Sequence, residues 1–317
     1  MTITQLHYVL AVAEHKNFTK AAQKVFVTQP TLSMQIQKLE DELEVTIFDR
    51  TKKPIQLTEV GEKIVQQARN IVNESDRITD IVDQQKGFIG GIFRLGVIPT
   101  IMPTLLPMFI GSFIKKYPKV KLKIEELHTE AILDKLKEGH LDAAIAATPL
   151  GVDGIKENVL YYEPFVPYIP SAFHTVESEK ITVEDLDINN ILLLEDGHCF
   201  KDGILNLCKA SKDYGDDQLQ LESGSFETLI KLANEGLGMT LLPYLHTLDL
   251  KEEEKKNLKM FKDPVPAREV SLIYNRSELK MQIIDAIRST IAGVVKGAIT
   301  FQNVEIISPL SRKAEKQ

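Results

Sequence analysis

Cysteine is almost absent: two residues, Cys199 and Cys208, serve a chain of 317. So few thiols exclude a disulfide scaffold for a chain of this size in a reducing compartment. An excess of positive charge is lacking too, since 38 Lys plus Arg face 45 Asp plus Glu and the net charge is -7. The molecule as a whole is no polycation, and any nucleic-acid surface must be local. Long apolar runs free of chain breakers are also missing. Leu95 to Ile114 carries no charge and has the length to cross a bilayer, but Pro99, Pro103 and Pro107 interrupt it. Their lost backbone bonds cannot be replaced by lipid, so no membrane span is expected. The first ten residues lack the basic start and apolar stretch of a secretory signal, which makes the cytoplasm the expected location.

What is there is an ordinary globular composition, 43% apolar and 26% charged, at a length that suggests two or three units. Charge falls in blocks near the N-terminus. Residues 15–39 hold Lys16, Lys20, Lys24 and Lys38 with no acid, and residues 50–58 hold Arg50, Lys52 and Lys53, again with none. The first 58 residues sum to +1 and the remainder to -8. A basic face on an acidic protein is the footprint of a DNA-binding module. Apolar residues recur at helical spacing three times, at Leu6, Val9, Leu10 and Ala13, at Phe18, Ala21, Ala22 and Val25, and at Leu32, Ile36, Leu39 and Leu43. Thr28 suits the cap of the third helix, with Pro30 in its first turn. Small Ala21 and Ala22 permit the close crossing of a helix-turn-helix. Thr28, Gln29, Pro30, Thr31, Ser33, Gln35 and Lys38 then form its outer, DNA-facing side, with residue types suited to base edges and phosphates. Asp49 to Thr58, turning about Arg50, Lys52 and Lys53, reads as a wing beside the groove.

From Glu59 to Lys86 there is no proline, and Ile64, Ala68, Ile71, Ser75, Ile78, Val82 and Gln85 alternate at four and three residues. That is a helical seam, expected to pair two copies of the chain. Gly87, Gly90 and Gly91 form a hinge. Beyond it the pattern predicts strands alternating with helices in an open, mainly parallel sheet: strands at 92–98, 121–127, 141–147, 191–195, 218–222, 239–243 and 270–274. Two half-domains with a cleft fit this order, the helix after Ser277 returning to the first half. The expected division is 1–58 for the winged helix-turn-helix, 59–86 for the linker helix, 87–307 for a two-lobed regulatory domain and 308–317 for a flexible tail.

These residues resemble the LysR-type transcriptional regulators over nearly the whole chain. The resemblance is carried by Phe18-Thr19-Lys20-Ala21-Ala22, by Thr28-Gln29-Pro30-Thr31-Leu32-Ser33, by Gln35-Ile36, Leu39-Glu40 and Phe48-Asp49-Arg50, and by Leu57-Thr58 with Gly61. Leu194-Glu195-Asp196-Gly197-His198-Cys199 with Cys208 is similar to the peroxide-sensing OxyR branch. The resemblance implies an all-α winged helix-turn-helix, a long linker helix and a periplasmic-binding-protein-like α/β domain of two lobes. It implies that Cys199 is the peroxidatic thiol and Cys208 the resolving thiol, that Thr100, Thr129 and His198 bind peroxide, and that Asp202 and Arg268 assist. It also implies an operator in double-stranded DNA, contact with RNA polymerase, a disulfide reductant and a dimer or tetramer, with no cofactor and no enzymatic turnover.

The residues are consistent with that chemistry. A thiol attacks peroxide as thiolate, and a helix start at Cys199 would favour the anion through its free N–H groups. Thr100 and Thr129, each following a strand, would meet at the carboxyl edge of one sheet. If residues 199–208 are helical, nine residues rise about 13.5 Å against the ~7 Å a disulfide tolerates, so bonding the thiols must unravel the helix. Other readings stay open on residues alone: a buried, inert Cys208, a regulator binding a small acid near Thr100, Thr129 and Ser225, or a stand-alone thiol peroxidase. Zinc held by His198, Cys199 and Cys208 is not expected, because adjacent residues chelate one ion awkwardly and no fourth ligand is evident.

Overall fold

The computed structural model describes residues 1–85, 89–173, 178, 180–209, 223–299 and 303–310. Lys86, Gly87, the expected strand at 218–222 and the tail beyond residue 310 lie outside the described residues. The chain forms two compact units, the first mainly from its N-terminal helices and the second from residue 89 onward.

In the first unit, α1 (Ile3–His15), α2 (Phe18–Lys24) and α3 (Gln29–Leu43) start where side chains satisfy free backbone N–H groups. Thr2 and Gln5 form a capping box, Asn17 accepts from the Lys20 N–H, and Thr28 accepts from that of Thr31 ahead of α3. Ala21 and Ala22 are buried with Leu6, Val9, Val12, Leu32, Ile36 and Leu39, so α2 approaches its neighbours closely. The wing is an antiparallel pair, β1 (Phe48–Asp49) and β2 (Gln56–Leu57). The long helix α4 (Glu59–Gln85) follows. Its seam divides: Ala68 is buried with Val65 and Val72 in the core of the unit, whereas Ile78, Ile81 and Val82 are exposed.

The second unit contains β3 (Gly91–Val97), α5 (Met102–Lys116), β4 (Val120–Glu126), α6 (Thr129–Lys137), β5 (Ala143–Thr148) and β6 (Ile155–Tyr168). There follow β7 (Lys180–Ile181), α7 (Cys199–Leu207), α8 (Phe226–Asn234), β8 (Thr240–Pro243), α9 (Tyr244–Thr247), α10 (Glu252–Lys255), β9 (Met260–Phe261), β10 (Val265–Asn275), α11 (Met281–Val295) and β11 (Val304–Ile306). The main sheet runs β4-β3-β5-β10-β6-β8, with β11 beside β10. It is mixed, not mainly parallel: β3 is parallel to β4 and β5, but β10 is antiparallel to β5 and β6, and β6 to β8. The expected strand at 191–195 contributes only a bridge from Ile191 to Met239. The run from Leu95 to Ile114 becomes the end of β3 and most of α5, and among the described residues no helix is long and apolar enough to cross a membrane.

Two cores result. One gathers Leu95, Phe109, Ile145, Leu272 and Ile287, the other Phe165, Tyr168, Leu194, Ile204 and Leu241. The strands β6 and β10 pass through both, giving Tyr161 and Val270 to the first and Phe165 and Val265 to the second. The helix α11 returns to the first core, as the sequence leads one to expect. Cys199 packs into the first core and Phe200 into the second, so the start of α7 stands where the lobes meet.

Candidate functional site

Cys199 is the first residue of α7, with His198 at the cap position and no side chain capping the helix. Cys208 is the residue that ends it, and both thiols are free. Arg268, on β10, is 2% exposed; its Nε and Nη2 donate to Glu163 Oε2 at 2.9 and 2.7 Å, Nη1 to Thr100 Oγ1 at 2.8 Å and Nη2 to the Thr100 carbonyl at 3.1 Å. Its guanidinium also lies 5.0 Å from the centre of the Phe200 ring. This clamp joins the turn after β3 to β6, β10 and α7. Thr100 is therefore not a helix cap, since Ile101 holds that position for α5. Because its oxygen accepts from arginine, the Thr100 hydroxyl proton can still be donated. Thr129 opens α6 as expected; its buried hydroxyl makes no well-formed hydrogen bond among the described residues but acts on the Cys199 sulfur and favours the anion.

The electrostatics correct one expectation. Burial is the largest influence on Cys199 and pushes its thiol above the ordinary range, although Arg268 and then Thr129 pull the other way. The helix start is where the sequence puts it, but Cys199 is only 9% exposed and loss of water outweighs the nearby positive charge. Asp202, one turn along α7, opposes ionisation through its own charge. Burial likewise raises Cys208 to about 11. His198 is lowered by desolvation and by His128, against a smaller upward pull from Glu195, which favours the neutral ring. Among the described residues its Nδ1 has no hydrogen-bond partner, and its Nε2 makes no well-formed bond beyond a 3.5 Å approach to Glu195.

Sequence reasoning passed over Glu163, Phe200 and His128, and named Glu195 only as part of a motif, with no role. Glu163 is 1% exposed and also accepts from the Leu245 N–H, fixing the arginine from behind. No local motif announces it; only the pairing of Glu163 with Arg268 across β6 and β10 brings the two together.

On the first unit, Thr28, Gln29, Pro30, Thr31, Lys38, Lys52 and Lys53 are exposed, as a DNA-facing surface requires. Ser33 and Gln35 are half-buried, and the Gln35 amide oxygen accepts from Gln5 Nε2, so Gln35 is partly engaged inside the unit. Arg50 pairs with Glu40 at 2.7 Å, stacks on Phe18 at 5.2 Å and reaches Ser33, fastening the wing to the recognition helix. Buried Glu40 also accepts from the Ile47 and Phe48 N–H groups. Two large apolar residues of this unit are also exposed: Phe26, 94% exposed with φ 57° in the turn between α2 and α3, and Met34 on α3.

Comparison with known proteins accounts for this pairing of modules. Residues 3–62 match the bacterial regulatory helix-turn-helix protein, lysR family, and residues 86–293 match the LysR substrate binding domain. The chain belongs to the LysR family. Within it, a hydrogen peroxide-inducible genes activator of Pectobacterium carotovorum subsp. carotovorum is 34% identical over 300 residues, 93% of this chain and 99% of the relative. Full-length OxyR of Pseudomonas aeruginosa, solved as a cysteine-to-aspartate mutant, is 33% identical with a TM-score of 0.74 over 92% of this chain and 98% of that one. A hydrogen peroxide-bound mutant OxyR of Corynebacterium glutamicum is 27% identical, with a TM-score of 0.62 over 96% and 98% of the two chains.

Proposed function

We propose that this LysR-family protein is a hydrogen peroxide-sensing transcriptional activator, switched by a reversible disulfide between Cys199 and Cys208. The carrying observation is the seat of Cys199 at the first turn of α7, within reach of Arg268 and Thr129, with Thr100 bound to that arginine and Cys208 at the other end of the same helix. The sulfur attacks one peroxide oxygen and the O–O bond breaks. Its electron pair leaves on the distal oxygen, which takes the thiol proton and departs as water, leaving a sulfenic acid on Cys199. Cys208 then attacks that sulfur, a second water leaves, and the S–S bond completes a two-electron oxidation. Arg268 offsets the negative charge on sulfur, while Thr129 and neutral His198 supply hydrogen bonds to the two oxygens. A resting thiol raised by burial is quiet until peroxide enters this donor set.

The output is read on DNA. Gln29, Thr31 and Ser33 meet base edges, and Lys38, Lys52 and Lys53 meet phosphates of a double-stranded operator, two units being needed to read two half-sites. Exposed Ile78, Ile81 and Val82 on α4 support pairing of two chains, as a dimer or within a tetramer. Contact with RNA polymerase, a disulfide reductant and a cytoplasmic setting complete the proposal. The test is the mass of intact, non-reduced protein after a stoichiometric pulse of peroxide, with peptide mapping across residues 191–212. Loss of two hydrogens, assigned to Cys199 and Cys208 and reversed by dithiol, is the expected result; both thiols remaining free at peroxide levels that spare other thiols refutes it.

A further inference from the structure

Beside the thiol lies a second cluster that the peroxide chemistry does not use in full. His128, in the turn between β4 and α6, meets Glu195 and His198 from the turn before α7, and each offers one ligand atom within 4.8 Å of the other two. His198 Nε2 stands 3.5 Å from Glu195 Oε1, and the two imidazoles meet edge to face with centroids 4.7 Å apart. His198 is 3% exposed, yet among the described residues its Nδ1 has no hydrogen-bond partner and its Nε2 has only the long approach to Glu195. A buried polar atom without a partner costs free energy and calls for an explanation. A single water or peroxide would satisfy one nitrogen. It would not account for a second imidazole and a carboxylate gathered against the same ring.

The surroundings suit a cation. His128 Nδ1 lies 3.2 Å from the Gly197 carbonyl. A carbonyl only accepts, so Nδ1 carries the proton and Nε2 keeps the lone pair a metal needs, the orienting contact that metal-bound histidines usually make. Backbone room has been left as well: a Cβ on Gly224 would sit 2.9 Å from Glu195 Oε1 and 3.3 Å from His198 Nε2. Two imidazoles and one carboxylate form a donor set for zinc and similar ions, with a fourth position open to water. We propose that His128, Glu195 and His198 bind one divalent transition-metal ion of the zinc type, one residue away from Cys199. The ion draws on His198, so its presence slows oxidation of Cys199; this second step, unlike the first, rests on the peroxide-sensing reading.

The experiment titrates zinc, by calorimetry, into the reduced full-length protein freed of metal by a chelator, and follows cobalt(II) by its visible spectrum. One ion per chain is expected, with a cobalt spectrum free of thiolate charge transfer. His128→Gln and Glu195→Gln should each weaken zinc by more than about 10-fold, the least that disturbing a mere outer partner of a metal ligand costs. His128 is exposed, so its replacement leaves the fold intact. Absence of binding overturns the proposal. So does binding that both substitutions leave unchanged, or a thiolate band that Cys208→Ser abolishes, which would assign the ion to the cysteines. Disulfide formation under peroxide is then timed with and without zinc, and the slowing should vanish in His128→Gln. If no disulfide forms in either case, the sensing reading fails while the titration still decides the metal site.

Discussion

Arg268 gathers more than any other side chain near the thiol. It holds a buried carboxylate, fixes Thr100, stacks on Phe200 and sets positive charge near the sulfur. Replacing it with alanine strands Glu163 as an unpaired buried charge, and the reduced protein should lose about 3–5 kcal/mol in urea unfolding. Adding Glu163→Gln should recover part of that loss; no recovery would show that packing on Phe200, not charge pairing, is the main contribution. Cys208 gives a pH signature. Its folded-state pKa is raised from the usual 9.0 to about 11, so the folded form binds that proton more tightly. The stability it contributes is full below 9.0 and is lost as pH rises through about 11. Chemical denaturation of reduced protein across that window, compared with Cys208→Ser, should show the steeper decline in the unsubstituted chain.

At the scale of elements, α7 is joined to the end of the described chain. Asn206 Nδ2 donates to the carbonyls of Ser308 and Leu310 at 2.9 and 2.7 Å. If the Cys199–Cys208 bond unravels α7, these contacts go with it. Hydrogen exchange should then quicken on oxidation both at residues 199–207 and at residues 304–310, whereas Asn206→Ala should quicken only the latter in the reduced protein. The elements differ in how plainly the sequence announces them. The three N-terminal helices are legible because apolar spacing, the Thr28 cap and Pro30 agree. The strand β6 is not, although it is 14 residues long. Pro164 and Pro167 make it look unfit for a sheet. The backbone resolves this by changing partner there: residues 155–164 pair with β10, residues 165–168 with β8. The site was partly legible for the same reason. Cys199, His198 and Cys208 share one short segment, while Glu163 and His128 reach it only through the fold.

For the whole molecule, charge is the property that separates the two ends of the chain. The first 58 residues sum to +1 within a protein of -7, so on the proposed DNA face any attraction to phosphates rests on few lysines working against an acidic remainder. Removing Lys52 and Lys53 together should lower the salt dependence of operator binding by about two phosphate contacts while weakening all sequences alike. Gln29→Ala should instead cost about 1–3 kcal/mol at particular base pairs. A change in base preference on removing the wing lysines would show that they read sequence. Neighbouring residues at the thiol tell a different story about scale, since Cys199 belongs to one lobe's core and Phe200 to the other's. If Cys199 and Cys208 join as proposed, closing that disulfide should require loosening of both cores at once. Sub-denaturing urea, which weakens apolar burial, should then accelerate disulfide closure, and a substitution deep in either lobe should lower the peroxide threshold without touching the thiol.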